Sequence, residues 1–326
     1  VKVDLHEHLE AVDPAAWDDL LARSARPIPF LGWTWQHHWA RTFAADRRQE
    51  IRTVVDPAGR LVAILPLYEA EPGIWRILGG VDVSDYLDLI AEAGREEEAW
   101  RSLLGARAAA GATWDLHAVP ATSYTVAALP RLVAEGGGEI TVAVEERCPI
   151  LALPASWEAY LAGLSGKHRH ELTRKLRRME REAPAVRATS LGEPGLVQAR
   201  LGDFLRLHRS SRVGKAKFMD ERMEAFFREV STALAGQGMM RLWFLDAEGG
   251  PMASFIALEW DGTVGLYNSG FEPSRAALSP GLVLLTHLIR DAIGRGRRRF
   301  DFLRGEERYK YEFGPIPEDV YQVRLG

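Results

Sequence analysis

The chain has 326 residues, 47% of them apolar and 26% charged, with one cysteine and a formal net charge of −4. That length allows two domains, and a single cysteine excludes an internal disulfide and a cysteine-rich metal site. No apolar run reaches the roughly 20 residues of a membrane span, and the first ten residues carry charges and no signal-peptide block, so a cytoplasmic protein is expected.

The charge is unevenly divided. Residues 1–150 hold 14 Lys+Arg and 23 Asp+Glu, a net of −9, whereas residues 151–326 hold 27 and 22, a net of +5. A basic second half suits an anionic ligand, or else reflects scattered surface charge.

In the first half, Ala15–Ala25 reads as a helix entered through Asp13-Pro14, with Asp13 as N-cap. Trp33–Phe43 places Trp35, Trp39 and Phe43 on one helix face. Ile51–Val55 and Leu61–Leu67 read as a hairpin across Asp56-Pro57-Ala58-Gly59. Strands are expected at Ile74–Leu78 and Tyr86–Ile90, a helix at Glu96–Ala110, a strand at Thr113–Ala118 and a short helix at Leu129–Glu135. Gly136-Gly137-Gly138 then breaks the chain before a strand at Glu139–Val144. Pro149 and Pro154 bracket a short apolar run, and a domain boundary is expected near residue 150.

The second half opens with helices at Ser156–Leu164, Lys167–Glu182, Pro194–Ser211 and Glu221–Ala235. Strands follow at Met239–Asp246, Ala253–Trp260 and Val264–Gly270, joined by turns that suit hairpins. A helix at Pro280–Arg295, a strand at Arg299–Leu303 and a last strand near Val320–Leu325 complete the chain. Both halves therefore read as α+β units with a central sheet, and the pattern is compatible with a tandem duplication.

The helix Lys167–Glu182 carries seven Lys+Arg against three Glu, with Leu172, Leu176, Met179 and Ala183 on one face. It either presents cations to a phosphate-bearing partner or is a solvated amphipathic helix with internal Glu–Arg pairs.

Leu278-Ser279-Pro280-Gly281 opens the helix that follows the strand pair. Ser279 can cap it, Pro280 fits its first turn and Gly281 allows close backbone approach, so a phosphate could be held there by N–H groups. Asp301, between Phe300 and Phe302 on a strand, could orient an amine or accept its proton, or could pair with a nearby arginine. Tyr309 could protonate a leaving thiolate, and Lys310 could hold an anion. The histidine pairs His6/His8, His37/His38 and His168/His170 lack zinc-helix spacing, so no metal site is expected. No nucleophile elbow, Walker A sequence or dinucleotide fingerprint occurs, which argues against serine hydrolases, P-loop enzymes and Rossmann oxidoreductases.

Leu164-Ser165-Gly166-Lys167-His168-Arg169, then Leu278-Ser279-Pro280-Gly281, then Phe300-Asp301-Phe302-Leu303-Arg304-Gly305 with Tyr309-Lys310 and Phe313-Gly314, resembles the CelD-like, FemAB-related branch of the GNAT acyltransferase superfamily. The resemblance covers residues 151–326, and more weakly the stretch from Phe30 through Phe43. It implies two tandem GNAT-like domains, 1–150 and 151–326, each a mixed, mostly antiparallel sheet flanked by helices, the first degenerate and the second an acyltransferase.

The implied reaction moves an acyl group from acyl-CoA, acetyl-CoA above all, to an amine on a small molecule or a cell-envelope or polysaccharide precursor. The alternatives are transfer from aminoacyl-tRNA and a non-catalytic module for anionic polymers; DNA is not an expected partner. By position in the family, Ser254, Phe255 and Ile256 would lie along the pantetheine arm, and Ser279, Pro280 and Gly281 at the pyrophosphate. Lys167, Arg169, Tyr267, Asn268, Arg304 and Lys310 would hold substrate, with Asp301 as base or orienter and Tyr309 as acid. The sequence departs from the Arg/Gln-x-x-Gly-x-Gly/Ala phosphate loop of ordinary GNAT enzymes, of which one Gly remains.

Overall fold

The computed structural model describes residues 1–107, 112–211 and 213–326. They form two compact units: Val1–Arg147 with Glu318–Gly326, and Cys148–Pro317.

The first unit contains β1 (Lys2–His6), α1 (Pro14–Ala22), α2 (Trp33–Phe43), β2 (Gln49–Val55), β3 (Leu61–Glu71), β4 (Ile74–Ile77), β5 (Ile90–Ala91), α3 (Glu96–Gly105), β6 (Thr113–Pro120), α4 (Tyr124–Glu135) and the first part of β7 (Ile140–Ala152). Asp13 caps α1 by accepting from Ala16 N–H at 3.2 Å. The strands run β1-β2-β3-β4-β6, then β13 (Ile316–Leu325) from the chain's end. β1 to β4 are an antiparallel meander, and β6 is parallel to β4. The core gathers Trp17, Trp35, Trp100 and Trp114, all fully buried.

Three expectations change here. The strand expected at Tyr86–Ile90 shrinks to Ile90–Ala91, because Gly79 and Gly80 take positive φ and start an irregular segment. The helix expected at Glu96–Ala110 ends at Gly105, and its positions 108–110 lie outside the described residues. The short helix expected at Leu129–Glu135 begins five residues earlier, capped by Ser123, and runs through Pro130.

A charged cluster joins strands of this unit. His117 on β6 lies 2.9 Å from Asp115 Oδ2 through Nε2 and 2.7 Å from Glu145 Oε1 through Nδ1. Arg76 and Gln322 donate to Asp115 at 3.0 and 2.6 Å. Burial alone would lower the His117 pKa, but the two carboxylates more than reverse this and raise it to about 9. A group raised on folding contributes stability below its unfolded pKa of about 6.5 and loses it as pH rises through the folded value. We expect the midpoint of unfolding to fall between pH 6.5 and 9.5, by up to about 3 kcal/mol in stability. A His117→Gln chain should show a flat profile over that range. Equal pH profiles for the two chains would refute this role.

The second unit continues with α5 (Trp157–Gly163), α6 (Gly166–Glu182), β8 (Arg187–Leu191), α7 (Pro194–Ser211), α8 (Val213–Phe218), α9 (Glu221–Gly236), β9 (Met240–Ala247), β10 (Gly250–Trp260), β11 (Thr263–Phe271), α10 (Pro280–Gly294) and β12 (Arg299–Asp301). Its strands run β8-β9-β10-β11-β12, then Cys148–Ala152 of β7. β8 to β11 are again an antiparallel meander, and β12 is parallel to β11. α10 packs an apolar face (Val283, Leu284, Leu288, Ile289, Ala292) into the core. β8 and α8 have no counterpart in the sequence reading.

One strand changes its expected domain. β13, placed by sequence order with the second half, pairs with β6, and Glu318–Gly326 belongs to the first unit. Each unit therefore has the same strand pattern: four antiparallel strands, a helix, a parallel strand, then an antiparallel sixth. The sixth strand comes from the chain's end in one and from the midchain in the other.

Candidate active site

β11 and β12 pair at only three positions, Thr263↔Arg299, Val264↔Phe300 and Gly265↔Asp301. Beyond them the chain turns away, and Phe302 N–H donates instead to Pro149 C=O at 3.0 Å. From Leu266 to Phe271 that edge of β11 has no strand beside it among the described residues. Glu272 N–H donates to Met252 C=O on β10 at 2.8 Å, which fixes the alternation. Gly270 and Asn268 direct their backbone groups to β10, while Phe271 and Ser269 direct theirs outward. In agreement, Ser269 C=O lies 3.0 Å from His208 Nδ1 and also accepts from Lys215 Nζ. A bulge falls in the same stretch: Ile256 faces Asn268 and Ala257 faces Leu266, leaving Tyr267 unmatched.

α10 starts against this open edge. Ser279 precedes it with φ 52° and ψ 48°, a left-handed conformation, and its side chain makes no capping bond. This corrects the expectation that Ser279 caps the helix. Val283 N–H reaches Ser279 C=O at 3.1 Å, and Pro280 has no N–H. Gly281 and Leu282 are thus left with N–H groups that no group accepts among the described residues. The dipole end of α10 adds to their affinity for an anion.

A cavity of about 250 Å³ joins these features, lined by Phe255, Ser269, Phe271, Pro280, Gly281, Leu282, Lys215, Glu307 and Tyr309, among others. A Cβ built on Gly281 would meet nothing within 4 Å, so that glycine faces open space. Of the residues expected from sequence, the cavity brings together Phe255, Ser279, Pro280, Gly281 and Tyr309. Lys215, Ser269, Leu282 and Glu307 were missed. Lys215 stood in a polar stretch that carries no local signal for a site, whereas Glu307 stood within the singled-out stretch, beside Tyr309 and Lys310, and was passed over.

The remaining expectations land elsewhere. β10 is paired on both edges, by β9 and β11, so Ser254, Phe255 and Ile256 have no open backbone edge to offer a donor. The strand with the open edge is β11, one strand along. Ser254 is fully buried with its hydroxyl unpartnered among the described residues, and Ile256 is buried. Tyr267 stacks on Phe227 at 5.8 Å, and Asn268 pairs with Ile256. Lys167 and Arg169 are exposed on the first turn of α6, outside the cavity lining.

Lys310 is corrected most sharply. It is 2% exposed, and its ammonium donates to the carbonyls of Leu303, Arg304 and Gly305 at 3.3, 2.9 and 2.9 Å. It also pairs with Glu307 at 2.8 Å. Lys310 therefore braces the turn that carries Glu307 and Tyr309, and its charge is spent within the protein. Asp301 is buried too, and accepts from Leu303 N–H at 2.8 Å, supporting the left-handed Leu303 (φ 55°). Neither Asp301, Arg304 nor Lys310 lines the cavity.

His208 is 1% exposed, and burial followed by the nearby Lys215 charge lowers its pKa to about 4. It is neutral at pH 7 and presents Nδ1–H to Ser269 C=O. Among the described residues no group of three or more His, Cys, Asp and Glu is arranged to hold a metal, and no helix is long and apolar enough to cross a membrane.

The comparisons fit this geometry. A family model described as an acetyltransferase (GNAT) domain matches residues 166–311. No curated protein matches the sequence. A conserved protein of unknown function from Bacteroides thetaiotaomicron VPI-5482 superposes with a TM-score of 0.66 at 12% identity, over 99% of both chains. FemX gives 0.66 at 10% identity, over 99% of this chain and 97% of its own. L-PGS from Bacillus licheniformis gives 0.60 at 12% identity, over 95% and 91%. With its repeated strand pattern, the chain has a tandem GNAT-like fold of the FemAB-related kind, and within it residues 166–311 match the GNAT acetyltransferase domain model.

Proposed function

We propose that the second unit transfers an acyl group from acyl-CoA to the amine of a small molecule or precursor. The observation that carries this reading is the meeting, in one cavity, of an uncapped helix start and an open strand edge. The N–H groups of Gly281 and Leu282 suit a diphosphate. The Ser269 carbonyl is taken by His208 and Lys215, but the outward N–H of Ser269 and the outward N–H and C=O of Phe271 suit the amides of a pantetheine arm, which would lie along β11 as an added strand.

In this reading the acceptor nitrogen attacks the thioester carbonyl, the new C–N bond forms and the C–S bond breaks. Glu307 takes the proton the amine loses, and Tyr309 gives its proton to the departing sulfur. Asp301 and Lys310 act indirectly, holding the turn that positions both groups.

Gly281→Asp tests the placement. The new carboxylate would sit at the helix start, where it is stabilising for the protein, in space that is open. Its charge would oppose a diphosphate. We expect unchanged or raised thermal stability together with at least about a tenfold loss in acetyl-CoA affinity by calorimetry. Unaltered affinity in this variant would remove the helix start from the donor site.

A second reading, FemAB-type transfer from aminoacyl-tRNA, is supported by α6 and by the likeness to FemX over the whole chain. Arg174, Arg178 and Arg181 pair with glutamates of α6 itself, and Lys175 pairs with Glu312. Lys167, Arg169 and Arg177 make no ion pair among the described residues, leaving three cations available to phosphates. Thiol release from acetyl-CoA in the presence of amines favours the first reading. Steeply salt-dependent tRNA binding without thiol release favours the second.

A further inference from the structure

The second unit holds another cavity, of about 290 Å³, whose lining comes largely from α6 and α10. Its floor is apolar: Trp157, Leu176, Met179 and Val283. Met179 and Val283 belong to the core, whereas Trp157 and Leu176 are only partly buried, so apolar surface remains open to water. The rim is charged, with Arg187 and Arg290 against a single glutamate, Glu180.

On the α10 side of the rim, Arg290 and His287 are available for a ligand. Arg290 makes no ion pair among the described residues, and its guanidinium lies 5.9 Å from the Trp157 ring centroid, which keeps it beside the floor. His287, one turn earlier on α10, makes no hydrogen bond among the described residues. Burial, then Arg290, lowers its pKa, so near pH 7 it is neutral and can donate or accept. Arg187 is tied to the carbonyls of Pro184 and Val186, which fixes its charge at the rim. Two arginines against one glutamate give the mouth a positive excess.

We infer that this groove is a second ligand site, for a small amphiphilic carboxylate whose alkyl or aryl body covers the Trp157, Leu176, Met179 and Val283 floor and whose carboxylate meets Arg290. The planar guanidinium matches a carboxylate's two oxygens, and an apolar floor with few convergent polar groups is the usual make-up of a small-molecule site. At about 290 Å³ the cavity falls just below the range of about 300–1,000 Å³ typical of such sites, so a small ligand is called for. The site does not share the donor cavity: α10 gives Gly281 and Leu282 to one and Val283, His287 and Arg290 to the other. The inference therefore stands whichever acyl donor the protein uses.

Calorimetric titration of the full chain with hexanoate, octanoate and octylamine at pH 7 tests it. Octanoate should bind more tightly than hexanoate, by about fourfold for each added methylene that reaches the floor. Octylamine, with the same apolar body and the opposite charge, should bind far more weakly. Arg290→Glu, an exposed change that leaves the core alone, should weaken octanoate by at least about tenfold, while Arg290→Lys retains part of the affinity. Four results would each overturn the inference: no octanoate binding at millimolar concentration, octylamine binding as tightly as octanoate, unchanged affinity in Arg290→Glu, or displacement of octanoate by acetyl-CoA.

Discussion

Deleting Glu318–Gly326 should unfold the first unit and leave the second unit folded, although the deleted residues directly follow the second unit in sequence. These nine residues belong structurally to the first unit. They pair with β6 from Val320↔Pro120 to Leu325↔Trp114. Val320, Val323 and Leu325 are all buried, and each such side chain contributes about 1.5–3 kcal/mol by leaving water. Gln322 donates to the buried Asp115, and Arg107 donates to Leu325 C=O at 3.2 Å and Gly326 C=O at 2.9 Å. Removal would also leave one edge of β6 without this partner. The lost apolar burial alone rivals the roughly 5–15 kcal/mol net stability of a typical domain. Hydrogen exchange by mass spectrometry should show β2, β3 and β6 unprotected in the truncated chain, with β9, β10 and β11 protected as before. Native protection of β6 in that chain would show that the strand is dispensable.

That strand also shows where sequence reading stops. Apart from β8 and α8, element positions in the second half were legible because they depend on local signals. Pro194–Ser211 falls on the expected residues, and α9 starts behind Asp220, whose side chain accepts from Met223 N–H. Which strand a given strand pairs with depends on the whole fold, so nothing local in Val320–Leu325 could assign it to the first unit. The same limit moved the open strand edge from β10 to β11: both were recognised as strands, but only the register shows that β10 is enclosed. Lys310 is a third case. A lysine in a polar, aromatic turn reads as exposed, and only three converging carbonyls make it a brace. The helix start at Ser279-Pro280-Gly281 was readable because Pro and Gly there act through the backbone alone. The left-handed Ser279 was not, since a serine before Pro280 signals a side-chain cap far more often than a turn of that kind.

Gly270→Ala should be among the most damaging single-methyl additions in the second unit, and it should strike stability and donor binding together. Gly270 lies opposite Ser254 in the β10–β11 ladder, and its φ is not in the left-handed region, so backbone strain is not the issue. Space is. A Cβ there would lie 2.4 Å from His208 N, 2.5 Å from Leu207 C and 2.7 Å from His208 Cα. All three are backbone atoms of α7, so no side chain can rotate away and the helix itself must withdraw. α7 is anchored by Val197, Leu201, Phe204 and Leu205, all essentially fully buried, which makes withdrawal costly. Overpacking of this kind typically costs about 1–3 kcal/mol, and a rigid backbone neighbour places Gly270→Ala at or above the upper end. A retreating α7 would carry His208 away from Ser269 and shift Ser211 and Lys215 at the cavity wall, so donor affinity should fall with stability. Gly281→Ala is the control: it adds the same methyl group to the same unit, in open space at a helix start, and should be neutral or stabilising. Urea denaturation of both variants decides the matter, because a Gly270→Ala midpoint equal to that of Gly281→Ala would mean that α7 does not press on β11 at this point.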